Sequence, residues 1–304
     1  MKKLGVLVPV VTPCSRQGRL DLEGFKSVCR DMLGAGCSAI FVGGSTGRGP
    51  WFSRRDRIRL CRAAAETVGG KQLLFAGCMA SGLSEMLENA RAMADNGAKL
   101  AVLTAPGYFN YSQAEVEMIF NRFADRSPLP VMVYDIPAFA GMKLDLEMVR
   151  RLSRHGNIIG FKDSSADMGR FRQLLATLKN MPDFYLLQGK EHLLAESVMS
   201  GASGLVVSLL HVDPRPFVAV YRAGSTGRKS DARRLQQRIT SIMNLILESF
   251  QRRPEISTLF HFLNYTLRQR GVCENIVLEH EGECPGWLAD FAQKALEISE
   301  ESHS

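Results

Sequence analysis

The chain has 304 residues, 45% of them hydrophobic and 23% charged, with a formal net charge of +7 at pH 7. That apolar fraction supports a sizeable core and excludes a disordered chain. Lys and Arg are dispersed among Asp and Glu in short groups such as Arg54-Arg55 and Arg252-Arg253, a pattern that indicates solvated helix faces and argues against a nucleic-acid partner.

At roughly 150 residues per domain the length allows two domains, or one α/β barrel of about 250 residues with a remainder. The seven cysteines, at 14, 29, 37, 61, 78, 273 and 284, are odd in number and contain no Cys-x-x-Cys. They suit reduced thiols in a cytoplasmic setting rather than a disulfide framework or a zinc site. The apolar run after Met1-Lys2-Lys3 is cut short by Pro9 and Pro13, so no signal peptide is expected. No stretch of 18 apolar residues occurs, so no membrane span is expected.

Along the chain, eight short apolar runs stand at 4–11, 39–42, 73–75, 100–103, 131–134, 158–161, 184–187 and 205–207. They do not alternate, which is how strands buried on both faces read. Helical periodicity follows each, at about 21–35, 53–68, 81–96, 112–125, 144–154, 167–179, 190–200 and 214–223. In 81–96 the apolar residues Leu83, Met86, Leu87, Ala90, Met93 and Ala94 recur at helical spacing, and Gly97 sits where a C-terminal cap belongs. Eight strands each followed by a helix predict a (β/α)8 TIM barrel over residues 1–224. After Gly224-Ser225-Thr226-Gly227, three helical stretches at 228–250, 254–270 and 286–300 predict a helical extension over 225–304, packed on the barrel.

In such a barrel, chemistry belongs at the C-terminal ends of the strands. After strand two comes Gly43-Gly44-Ser45-Thr46-Gly47-Arg48-Gly49, whose hydroxyls and free amides suit a carboxylate or phosphate. The same residues fit the Gly-x-Ser-x-Gly elbow of a serine hydrolase, so the motif alone leaves both open. Strand four ends in Pro106-Gly107-Tyr108-Phe109, a loop suited to a lid or an interface. Strand five ends in Tyr134, which can relay protons or simply fill the barrel. Strand six ends in Gly160-Phe161-Lys162-Asp163. Burying an ammonium is costly unless it is paired or neutral. Lys162 is therefore either an ion partner of Asp163 or a nucleophile for carbonyls. Strand seven leads to Gly189-Lys190-Glu191-His192, which is not a P-loop. Six scattered histidines without His-Glu-x-x-His predict no metal site.

Together with Pro9-Val10-Val11-Thr12-Pro13, Tyr134-Asp135-Ile136-Pro137 and Gly201-Ala202-Ser203-Gly204, these motifs resemble the dihydrodipicolinate synthase / N-acetylneuraminate lyase family of pyruvate-dependent class I aldolases. The resemblance covers nearly the whole chain. It implies a lyase that cleaves or condenses a 2-oxo acid such as pyruvate through a lysine Schiff base, with no metal or organic cofactor. By it, Lys162 is the Schiff-base lysine, Tyr134 the proton relay, and Tyr108 a tyrosine that reaches a neighbouring subunit's site. Ser45 and Thr46, with Gly44 and Gly47, hold the carboxylate, and Val206 gives a backbone carbonyl beside the pyruvoyl group. A homotetramer built as a dimer of dimers is implied. The chain also departs from the family pattern. Arg48 stands where glutamate is usual, and Phe139 where the synthases carry an arginine for the second substrate's carboxylate. Ser164 stands where the lyases carry threonine, and Glu191-His192 where they carry two acids. A dehydratase on the same platform, or an idle binding member, are alternatives. Arg48, Phe139, Ser164, Gly189, Lys190 and Glu191 are the candidates for substrate specificity.

Overall fold

The structure is a computed structural model that describes residues 2–300. Each apolar run forms a parallel strand: β1 Gly5–Pro9, β2 Ala39–Val42, β3 Leu73–Gly77, β4 Leu100–Leu103, β5 Val131–Asp135, β6 Ile158–Asp163, β7 Tyr185–Gln188 and β8 Gly204–Leu205. They close in sequence order into an eight-stranded barrel, β8 pairing with β1. The surrounding helices are α1 Leu22–Gly34, α2 Arg54–Val68, α3 Leu83–Asp95, α4 Gln113–Arg126, α5 Pro137–Ala140, α6 Leu146–Leu152, α7 Met168–Leu178, α8 Leu194–Ser200 and α9 Arg215–Ser225. This is the (β/α)8 barrel that the periodicity predicts.

Local chemistry sets many of the boundaries. Asp21 accepts from Gly24 N at the start of α1, Ser53 from Asp56 N at α2, and Asp167 from Arg170 N at α7. Ser112 and Glu115 form a reciprocal capping box at α4. Asn96 ends α3, and Gly97 follows with φ +98°. Three details differ from the sequence expectation. Strand β5 runs on past its apolar run by Asp135 and β6 by Lys162-Asp163, because Tyr134-Asp135 pairs with Lys162-Asp163 across the ladder. β8 is shorter, although Val206 N still donates to Gln188 O. The single-turn helix α5, begun by Pro137 and ended by Gly141 at φ +71°, was not foreseen.

The barrel interior is filled by Phe41, Phe75, Met132, Tyr134, Tyr185, Leu187 and Val206 among others. A larger core lies between barrel and helices and continues through Ile239, Ile242, Phe262 and Leu263 of the C-terminal region. That region comprises α10 Lys229–Arg252, α11 Ser257–Gln269 and α12 Gly286–Glu300. α10 lies along α8 and α9, and α12 packs across α10 and α11. All seven cysteines are unpaired and only Cys284 is exposed. Burial pushes the thiols of Cys14, Cys29, Cys37, Cys61, Cys78 and Cys273 up to about 11 or 12, which makes them inert.

Candidate active site

A cavity of about 920 Å³ opens at the C-terminal end of the barrel. Lys162 and Tyr134 lie directly opposite each other on β6 and β5, and both line this cavity. The alternation of a strand then sends Asp163 and Asp135 to the other side. There Arg170 donates to Asp135 at 2.8 Å, and Asp163 accepts from Ser165 N at 2.9 Å. Lys162 is therefore not the ion partner of Asp163. It is 4% exposed, with Nζ 3.8 Å from the centre of the Tyr134 ring and 5.8 Å from that of Phe41. Desolvation raises the carboxyl of Asp135 to about 6, against the opposing pull of Arg170.

The loop after β2 is a compact cradle. Arg48 N donates to Ser45 O, Gly49 N to Gly44 O, and Thr12 Oγ1 to Gly47 O at 2.6 Å. A Cβ at Gly47 would stand 2.5 Å from the carbonyl oxygen of Val10, so only glycine fits. This fold brings Ser45 Oγ to 3.5 Å from the Tyr134 hydroxyl. Ser45, Thr46 and Val206 line the cavity, while Gly44 and Gly47 shape the loop behind them. The serine-hydrolase reading needs a histidine at Ser45, and the side-chain partner found there is a tyrosine.

The remaining candidates surround the mouth. Gly189 packs against the lysine: a Cβ there would lie 3.2 Å from Lys162 Cε and 3.0 Å from Asp163 O. Ser164 Oγ donates to Gly189 O at 3.5 Å. Glu191 accepts from Ser208 Oγ and Leu209 N, and its backbone carbonyl accepts from Gln236 of α10. Lys190 and Phe139 line the rim, and Tyr108 is 89% exposed with φ +83°. Among the described residues, the non-glycine residues with positive φ are Arg48, Tyr108 and Ala166, in the loops after β2, β4 and β6. Backbone of this kind is stored where the surrounding structure over-determines it.

The dihydrodipicolinate synthetase family matches this chain over residues 2–276. The chain belongs to that family. A curated relative, 4-hydroxy-tetrahydrodipicolinate synthase from Stenotrophomonas maltophilia strain K279a, is 32% identical over 206 residues, which cover 68% of this chain and 69% of the relative. The structure of dihydrodipicolinate synthase from Bacteroides thetaiotaomicron superposes with a TM-score of 0.89 at 27% identity, covering 98% of this chain and 99% of that one. N-acetylneuraminate lyase from Mycoplasma synoviae shares the fold, with a TM-score of 0.83 at 20% identity and 97% of both chains covered. The curated relatives are synthases by name, and the likeness to the lyase is one of fold.

Arg48, a specificity candidate because it departs from the family pattern, lines the cavity but is buried. Its guanidinium donates to both Glu281 carboxylate oxygens and to Ile276 O, each at 2.8 Å, and lies 3.5 Å above the Phe260 ring. Burial pulls it below the usual arginine range, and Glu281 opposes that pull. Its charge is thus neutralised within the protein. The sequence reading also missed the part of the cavity wall that comes from Trp51, Arg253, Ile256, Phe260 and His280. Trp51 stands two residues beyond the Gly43–Gly49 motif and is within reach of a local reading. The others lie in helical or irregular sequence more than 200 residues from it, with no local signal.

Proposed function

We propose that the protein is a Schiff-base lyase of the class I aldolase type, joining pyruvate to an aldehyde or releasing it from a longer 2-oxo acid. One observation carries this reading. A buried lysine, unpaired with its neighbouring acid, faces a tyrosine across the ladder, and that tyrosine's hydroxyl meets a serine of the cradle. The cradle of Ser45 and Thr46 takes the carboxylate and so fixes the ketone over Lys162. The neutral amine attacks C2, and the ketone oxygen leaves as water. The iminium draws electrons from C3, whose proton is lost to give an enamine. The enamine carbon attacks the aldehyde, and the Tyr134 hydroxyl gives its proton to the new C4 oxygen. Water then hydrolyses the iminium and returns the lysine. Cleavage is the reverse. The iminium is the electron sink, so the reaction as written requires no metal or organic cofactor. Val206 borders the pyruvoyl position. Tyr108, exposed on the single chain, fits a role in a neighbouring subunit's site, in a cytoplasmic homotetramer.

A second reading, condensation of the dihydrodipicolinate synthase kind, is favoured by the names of the curated relatives. Against it stands Phe139, where the family resemblance implies an arginine for the second substrate's carboxylate. A dehydratase would share the first step and differ in product. Incubation with pyruvate and sodium borohydride, then intact mass and peptide mapping, is expected to place a reduced pyruvate adduct on Lys162. No adduct, or an adduct on another lysine, overturns the proposal and leaves an idle binding member.

A further inference from the structure

We propose that the outer half of the cavity is an aryl-binding subsite, and that the second substrate is an aromatic aldehyde. The inference rests on the Schiff-base reading of the inner half. The cavity wall is clasped by two 3-10 turns, Gly49–Trp51 and Glu279–Glu281. The buried Arg48–Glu281 pair locks them together, and beside it the Trp51 ring stacks on that of His280, centroids 4.9 Å apart and planes 8° apart. The stack is held from both ends, yet Trp51 is 63% exposed, and both rings line the cavity that holds Lys162. A fixed, open aromatic face is what a planar ring stacks on.

The rest of the rim agrees. Of the seven large hydrophobic side chains exposed among the described residues, four line this one cavity: Tyr108, assigned above to a neighbouring subunit's site, and Trp51, Phe139 and Ile256, which that role does not account for. Exposed apolar groups gathered on a concave wall mark a ligand site. Charge points the same way. Arg48 is held by Glu281, and Arg253 by Glu255 and the carbonyl of Glu281. Both arginines of the cavity lining are thus engaged, which leaves Lys190, among the described residues, as the one rim cation without a side-chain partner and no guanidinium fork to grip a second carboxylate. The volume of about 920 Å³ also exceeds what pyruvate and a small aldehyde would fill. With benzaldehyde as the probe, C3 of the enamine bonds to the aldehyde carbon and the aldehyde oxygen takes a proton. Hydrolysis frees 4-hydroxy-2-oxo-4-phenylbutanoate. The product has the summed composition of pyruvate and benzaldehyde, because the water lost on forming the iminium is regained on its hydrolysis, and nothing is oxidised or reduced overall.

The test offers the protein pyruvate with benzaldehyde, glyceraldehyde or succinic semialdehyde, and measures product by mass spectrometry. The expected result is a kcat/KM for benzaldehyde about tenfold or more above the other two, the equivalent of about 1.4 kcal/mol. Preference for the hydroxylated or the acidic aldehyde overturns the subsite. Trp51→Ala and Phe139→Ala are each expected to lower the benzaldehyde-to-glyceraldehyde ratio of kcat/KM about tenfold, and Trp51→Phe to retain it. An unchanged ratio in the alanine variants, with an altered sedimentation coefficient, would make the rim a subunit interface and also overturn the proposal. Borohydride trapping separates the two levels. If Lys162 traps pyruvate and benzaldehyde is ignored, only the subsite fails. If nothing is trapped, the lyase reading fails with it.

Discussion

His211 is fully buried, accepts the Val11 backbone N–H at Nε2 (3.3 Å) and presents Nδ1 to the carbonyl of Ser208 at 2.9 Å. Only the neutral ring with its proton on Nδ1 satisfies both contacts, since protonating Nε2 would set a donor against a donor. Burial accordingly pushes this imidazole down from 6.5 to about 4. A histidine with a depressed folded value contributes stability above its unfolded value and loses it as the pH falls. Between pH 6.5 and about 4 the unfolded chain binds the extra proton, so stability should fall by up to about 1.4 kcal/mol per pH unit from this residue. Urea denaturation at pH 7.5 and 4.5 checks this: His211→Gln is expected to show a flatter acid dependence, and an identical slope would refute it. Lys162 illustrates the limit of residue-level reading. Its sequence neighbour Asp163 suggested an ion pair, but alternation along β6 sends the two to opposite faces.

Between elements, the clasp of the β2 loop to the C-terminal segment is the decisive contact. Arg48 and Glu281 are both buried, and the Glu281 carboxylate also accepts from Leu278 N. Removing one member leaves a buried charge without its partner, which costs about 3–5 kcal/mol. Glu281→Ala is therefore expected to lower the urea-measured stability by about that amount. Because Arg48 stands two residues after Thr46 and its backbone N–H donates to Ser45 O, the same variant should raise KM for pyruvate severalfold. The double variant Arg48→Met/Glu281→Leu leaves no charge unpaired and should regain most of the stability without regaining the KM. Equal stability of the single and double variants would show that the pair carries no such cost. The elements themselves were legible: strand runs, helix periodicity and caps are local patterns. The one-turn helix α5 was not, because four residues are too few to show a period.

For the whole molecule, the C-terminal helices are part of the site as well as its support. Gln236 of α10 holds the loop after β7 through Glu191 O and Ala195 N, and the 276–281 segment holds the loop after β2. The buried residues Ile239, Ile242, Leu245 and Ile246 of α10 belong to the core shared with the barrel helices. A chain ending at residue 226 would expose that core and lose one wall of the cavity. It is expected to be insoluble or to lack a cooperative thermal transition by circular dichroism. A soluble, cooperatively melting product that still traps pyruvate would refute the dependence. By itself the sequence determined the barrel, the order of its strands and the place of Lys162, Tyr134 and the Ser45-Thr46 loop at strand ends. These follow from periodicity and turn chemistry, which act over a few residues. Only the tertiary structure decided that Arg48 meets Glu281, 233 residues away, and that Trp51 meets His280. Such contacts depend on how distant segments are brought together by packing a shared core, and no local pattern encodes them.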